Sequence, residues 1–196
     1  LLILPRSFYE RPTAEVARDL LGKLIVFGGL SGRIVEVEAY LGREDLASHA
    51  ARGITPRSRV MFGPPGHAYV YFIYGMYDCL NFVTEPDGTP GAVLIRALHP
   101  VSGISAMRKR RPAAATLEDL ARGPGKLTLA LGITRALNGA DVTRGPLVVK
   151  DDGYNAQHAI ACGPRIGIRH CADWPLRFYY EGHPCVSGRR PRRDVA

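Results

Sequence analysis

A chain of 196 residues is long enough for one domain with a substantial core, or at most two small ones. Its 46% hydrophobic and 22% charged residues fit a globular protein, and its apolar runs fall well short of the roughly 18 residues that cross a bilayer. A net charge of +8 and a pI near 9.6 favour a polyanionic partner, nucleic acid above all.

Residues 1–4 lack the basic start and the length of a signal-peptide core, so a cytoplasmic protein without membrane association is expected. Cys79, Cys162, Cys171 and Cys185 make no CxxC pair and no knuckle spacing. Reduced thiols follow, with no metal site, disulfide framework or other cofactor.

In chain order, residues 5–22 read as a helix entry and an amphipathic helix, with Pro12 and Thr13 as start signals and Val16, Ala17, Leu20 and Leu21 at helical spacing. Residues 23–27 form a short strand running into a Gly28-Gly29 turn, and its hairpin partner is the run 33–42. There the side chains alternate. Val35, Val37 and Ala39 share one face; Ile34, Glu36, Glu38 and Tyr40 share the other. Taken alone, the run reads as an edge strand with a wetted face. A buried carboxylate would need a partner or a task.

The next stretch, to residue 59, is polar and irregular, with His49 among Arg52, Arg57 and Arg59. After a Gly/Pro-rich connection over 61–67 comes Tyr69-Val70-Tyr71-Phe72-Ile73-Tyr74-Gly75-Met76-Tyr77, which holds four of the nine tyrosines. Tyr69, Tyr71 and Ile73 share one strand face. Gly75 permits a tight turn and 77–83 returns as the paired strand, which leaves Tyr74 and Met76 at an exposed tip.

Residues 92–98 are another strand, with Arg96 on the face of Ala92, Leu94 and Leu98, either at a rim or paired with an acid. A helix over 102–111 ends in Arg108-Lys109-Arg110-Arg111, and a short helix covers 116–122. At 123–127 a glycine-flexed turn opens a helix whose free N–H groups, with Lys126 beside them, suit a phosphate. Short strands follow at 141–150, 165–169 and 175–180. Residues 189–193 begin a basic tail. On these signals alone, a nucleic-acid-binding module and a hydrolase of free nucleosides both stay open.

The stretches GRIVEVEAYLG (32–42), TPRSR (55–59), YVYFIYGMYDCLN (69–81), VLIRAL (93–98), GPGKL (123–127) and PLRFY (175–179), in that order, resemble the alkyladenine (3-methyladenine) DNA glycosylases of mammalian type found also in bacteria. The resemblance implies a glycosylase domain over 1–187 with a basic tail over 188–196. It implies an α+β fold: a single domain with a curved, mostly antiparallel sheet surrounded by helices, and a protruding hairpin.

It implies roles as well. Glu38 would be the general base for a water, and Arg96 would lie near that water. Tyr40, His49 and Tyr71 would wall a pocket for the extruded base, and Asn81 would check the purine edge. Tyr74 would fill the gap left in the duplex, with Met76, Tyr77, Arg52, Arg57 and Lys126 contacting DNA. The partner implied is double-stranded DNA carrying damaged purines, bound by a monomer.

The chemistry suits these residue types. Flipping a base costs a few kcal/mol, and an aromatic wedge offsets part of that cost. Electron-rich tyrosine faces attract cationic alkylpurines by about 0.5–2 kcal/mol each. One ionised carboxylate can deprotonate water and offset the charge that builds on the sugar. Glu36, about 6–7 Å along the strand, is expected to be structural.

Overall fold

The computed structural model describes residues 1–188, so the basic tail expected from 188 onward falls, past Gly188, outside the described residues. The chain opens with strand β1 (Leu2–Ile3), the helical turn α1 (Arg6–Tyr9) and helix α2 (Thr13–Leu20). Helix α2 turns Val16, Ala17 and Leu20 into the core. Its first backbone donor, Thr13 N, is satisfied by the Glu85 carboxylate at 2.6 Å, which takes the place of a local cap.

Strands β2 (Leu24–Phe27) and β3 (Leu30–Tyr40) form the expected hairpin across Gly28 and Gly29, both in the left-handed region that such a turn demands. Then follow β4 (Ala68–Ile73), β5 (Tyr77–Val83), β6 (Ala92–Ser102), helix α3 (Ile104–Arg110), helix α4 (Pro124–Leu131), β7 (Leu147–Asp151), β8 (Ile160–Gly163) and β9 (Arg177–Tyr180). Every pairing is antiparallel. The sheet runs β1-β7-β2-β3-β6-β5-β4, with β9 also on β3 and β8 on β9.

Two strands share one edge of β3. β2 pairs with its first residues, up to Arg33, and β9 takes over from Glu36 to Glu38, while β6 runs along the other edge. The sheet therefore curls around β3, and the run that reads, taken alone, as a wetted edge is instead enclosed. Residues Ile34, Val35, Glu36, Val37, Glu38 and Ala39 are all buried. The alternation in residue type is genuine, but both faces are covered.

The main core packs α2, α3 and α4 on one side of the sheet through residues such as Leu20, Val37, Phe82, Ile95, Met107 and Leu127, each worth about 1.5–3 kcal/mol when fully buried. A smaller cluster of Ala50, Met61, Phe62, Tyr69, Val83 and Ala92 lies beneath the loop that carries His49. Among the described residues no helix is long and apolar enough to cross a membrane.

Three boundaries differ from the sequence expectation. The strand expected over 165–169 is not formed; the strand lies earlier, at Ile160–Gly163, and residues 164–166 bond the side chains of Arg177, Asp45 and Glu38. The strand expected over 141–150 starts only at Leu147, because the residues before it form turns. The helix expected over 116–122 shrinks to a 3-10 turn at Glu118–Leu120.

Candidate active site

The register of β3 on β6 shifts three times, and two of the shifts flank Glu36. Val35 on β3 and Arg96 on β6 have no cross-strand partner, and the neighbouring pairs are Glu36↔Ala97 and Val37↔Ile95. A bulge re-aims the unpaired side chain, and here Arg96 reaches two carboxylates. Its Nε donates to Glu36 Oε1 at 3.1 Å, and its Nη1 lies 3.1 Å from Glu38 Oε1. Both glutamates are fully buried. Burial works against the Arg96 charge, but the two acids more than reverse this and hold the guanidinium protonated.

The two acids differ in their remaining partners. Glu36 also accepts from Arg177 Nη1 at 3.0 Å and from the Ser187 amide at 2.6 Å, so it is enclosed by cationic and backbone donors. Glu38 Oε1 accepts from the Ile166 amide at 2.8 Å, and Oε2 accepts from the Tyr40 hydroxyl at 2.9 Å. Tyr40, Arg96 and Ile166 all line the same cavity, which puts Glu38 directly behind its floor.

That cavity has a volume of about 340 Å³, in the range of small-molecule sites. Tyr40 closes one side. His49, Tyr69 and Tyr71 line it as a group, with His49 edge-on to Tyr71 at 4.7 Å between ring centres and Tyr69 tilted at 5.2 Å from Tyr71. Burial first, then the charges of Arg57 and Arg52, pushes His49 down to about 4, so the imidazole is neutral near pH 7. Its Nδ1 lies 2.8 Å from the Tyr69 hydroxyl. Burial raises Tyr69 to about 12, and raises Tyr40 and Tyr71 further, so all three remain phenols. Asn81 donates from Nδ2 to the Tyr69 carbonyl at 3.0 Å, which leaves its oxygen as the group the cavity can use.

The hairpin β4–β5 projects from the cavity rim as expected. Tyr74 is 79% exposed and Met76 61% exposed at its tip. Tyr74 and Gly75 both have positive φ, 55° and 68°. For tyrosine this region costs about 1–2 kcal/mol, and such strain collects at functional positions. Tyr77 stands at the hairpin base against Gly125, where an added Cβ would lie 2.6 Å from the ring. Pro124 and Gly125 thereby bring the α4 N-terminus to the cavity mouth, with Lys126 exposed beside it.

Arg57 is exposed at the rim, 4.9 Å over the Tyr71 ring, and donates to the Phe72 carbonyl at 3.1 Å; Arg52 is exposed at the end of the His49 turn. The expected site residues thus line the cavity, lie behind its floor (Glu38), sit on the hairpin, or are exposed on segments neighbouring lining residues (Arg52, Arg57, Lys126). None lies elsewhere on the fold.

Sequence reasoning missed several. Arg165 is fully buried and forks onto Asp45, with Nη1 to Oδ2 at 2.5 Å and Nη2 to Oδ1 at 2.8 Å. Its guanidinium also stacks 4.7 Å from the Tyr40 ring centre. Arg177 joins Glu36 to the Pro164 carbonyl. Cys79 lines the cavity as a thiol, pushed up to about 11 by burial. Arg177 and Cys79 lay in stretches already singled out, PLRFY and YVYFIYGMYDCLN; no local signal marks Arg165 or Asp45.

Comparison with known sequences decides the family. The methylpurine-DNA glycosylase (MPG) family model matches residues 7–184. A relative from Methanocella arvoryzae is 55% identical over 196 residues, covering 96% of this chain and 98% of its own. The chain belongs to the methylpurine-DNA glycosylase family. Relatives from Burkholderia cenocepacia (50% identical, 97% of this chain, 93% of its own) and Bacillus cereus strain G9842 (50%, 93% and 98%) bear the same name as the first, "Putative 3-methyladenine DNA glycosylase". Membership makes the protein a DNA glycosylase, a hydrolase of N-glycosyl bonds.

Proposed function

We propose that the protein is a monofunctional base-excision repair glycosylase. It binds duplex DNA containing damaged purines, extrudes the base into the cavity between Tyr40 and Tyr71, and hydrolyses the N-glycosidic bond with a water activated by Glu38. The observation that carries this reading is a fully buried carboxylate behind the floor of a tyrosine-lined cavity, beside Arg96. The substrates are 3-methyladenine and 7-methylguanine, whose positive charge suits the tyrosine faces, with hypoxanthine and ethenoadenine as neutral candidates.

Each part has a task. Tyr74, exposed at the hairpin tip, takes the vacated place in the stack; Met76 and Tyr77 flank it. Neutral His49 and Asn81 meet the edges of the base. Glu38 takes a proton from water as the bond to the sugar lengthens, and its charge faces the developing oxocarbenium ion. Arg96, held by Glu36, fixes the carboxylate in place. Arg52, Arg57 and Lys126 meet phosphates around the mouth, contacts that fix register without reading sequence.

No lysine is among the residues that line the cavity. A lyase step needs such an amine, so the product is an abasic site on an uncut strand. The test is incubation with methylated duplex and with hypoxanthine-containing duplex, without added metal, followed by chromatography of released base. Free 3-methyladenine with an intact abasic strand is expected. No released base, or strand cleavage at the lesion, overturns the reading.

A further inference from the structure

The segment 164–166 is neither helix nor strand, yet every polar group it is seen to use goes to the site. The Pro164 carbonyl accepts from Arg177 Nε at 3.1 Å, and Arg177 in turn holds Glu36. The Ile166 amide donates to Glu38 at 2.8 Å. Between them, Arg165 sends its whole side chain into the interior, where no part of it is exposed.

There it bonds Asp45 twice, donates to the Ala39 carbonyl at 3.0 Å, and lies 4.7 Å over the Tyr40 ring. Asp45 itself accepts from the amides of Leu41 and Ala47, at 3.1 Å each, so the same pair shapes the loop that leads from Tyr40 to His49. Arg165 is absent from the cavity lining while Tyr40 and Ile166 belong to it, so the guanidinium backs the Tyr40 ring from outside the cavity.

We propose that the buried Asp45–Arg165 pair is the positioning device of this active site, fixing the Tyr40 wall, the His49 loop and the Glu38 carboxylate in one frame. This rests on the glycosylase reading above. Removing a buried ion pair as a unit often costs little stability, whereas removing one partner strands a charge. The pair is therefore an inefficient way merely to join two loops. What it provides is geometry. The guanidinium fork sets both the plane of the Tyr40 ring and the position of the next residue's amide, and a lysine cannot reproduce the fork or the stacking. Arg165 touches neither base nor water; it acts through Tyr40 and Ile166.

The test compares wild-type protein with the charge-neutral double variant Asp45→Asn/Arg165→Met and with Arg165→Lys. Single-turnover release of 3-methyladenine from methylated duplex, the KM–kcat split and thermal melting are measured on each. The double variant is expected to melt cooperatively above the assay temperature and to bind lesion duplex within about threefold of wild type. Its rate of base release is expected to fall about a hundredfold, as misplacement of a reacting group by about 1 Å can do.

A folded double variant with a rate within about threefold of wild type overturns the proposal, since the pair would then be structural only. A loss carried wholly by KM overturns it as well. If the double variant fails to fold, Arg165→Lys decides: it keeps the charge, and the proposal requires a loss of similar size with melting preserved, whereas an unchanged rate refutes it. The wild-type rate in the same experiment tests the glycosylase reading separately, because the inference is read from the ratio of variant to wild type.

Discussion

The two glutamates of β3 invite a direct comparison by isosteric substitution. In Glu36→Gln, a fully buried carboxylate that receives Arg96 Nε, Arg177 Nη1 and the Ser187 amide becomes a carboxamide. One oxygen cannot serve all three donors, and the new NH2 group must point at another donor. Two guanidinium groups are left with less compensation, and breaking a buried pair from one side costs about 3–5 kcal/mol.

For a chain of this size each kcal/mol lowers Tm by about 2–4 °C, so a drop of about 6–20 °C is expected. Glu38→Gln has a different ledger. Its oxygen still accepts from Ile166 and Arg96, its NH2 donates to the Tyr40 hydroxyl oxygen, and Glu36 still neutralises Arg96. Stability should fall by less than about 2 kcal/mol. Base release should fall by about 10⁴-fold or more, through loss of the proton acceptor and of the charge facing the sugar. Thermal melting and single-turnover excision on one methylated duplex measure both. The assignment fails if Glu38→Gln turns over at more than about a tenth of the wild-type rate, or if Glu36→Gln melts with the wild type.

Three further outcomes follow from other parts of the site. Tyr74→Gly should weaken binding to lesion duplex by about 1–3 kcal/mol, the value of one stacking aromatic, yet leave the melting temperature unchanged or slightly higher, because the exposed side chain packs on little and its φ of 55° suits glycine; a large loss of stability would place Tyr74 in the core. Gly125→Ala brings a Cβ within 2.6 Å of Tyr77, and should cost about 1–3 kcal/mol by overpacking and loosen the grip on DNA; a gain of about 1 kcal/mol, as for an ordinary helix glycine, would show that the α4–hairpin contact is soft. His49 and His183 are both held near 4, against about 6.5 in the unfolded chain, so between these values the unfolded state binds more protons. Their contribution is absent above pH 6.5, and stability is lost as pH falls from about 6.5 toward 4. Urea denaturation at pH 7 and pH 5 should show a shallower acid loss in His49→Gln than in wild type, and an identical slope would contradict the neutral assignment of His49.

Much of this was legible in the sequence because it depends on short-range pattern. Residues 69–77 carry a strand face, a turn glycine and a tip within nine positions, and strand alternation is enough to put Tyr69 and Tyr71 on one wall. The hairpin over Gly28 and Gly29 follows from the same kind of signal. Residues 33–42, taken alone, read as a wetted edge for an equally plain reason. Alternation reports which residues share a face, and says nothing of what will cover that face; here β9 and the 164–166 segment arrive from more than 120 residues away to bury Glu36 and Glu38.

Composition, charge and local pattern were sufficient to determine a basic α+β protein with a tyrosine hairpin, and the motifs that resemble the family. The tertiary structure alone decided which carboxylate lies behind the cavity floor and which is walled in by Arg177 and the Ser187 amide. That division depends on a bulge that turns Arg96 out of register, on an amide from Ile166, and on Arg177, 141 positions from Glu36. Contacts at such separations leave no periodic trace in the chain. They come into being only when the sheet curls and brings the distant segments together.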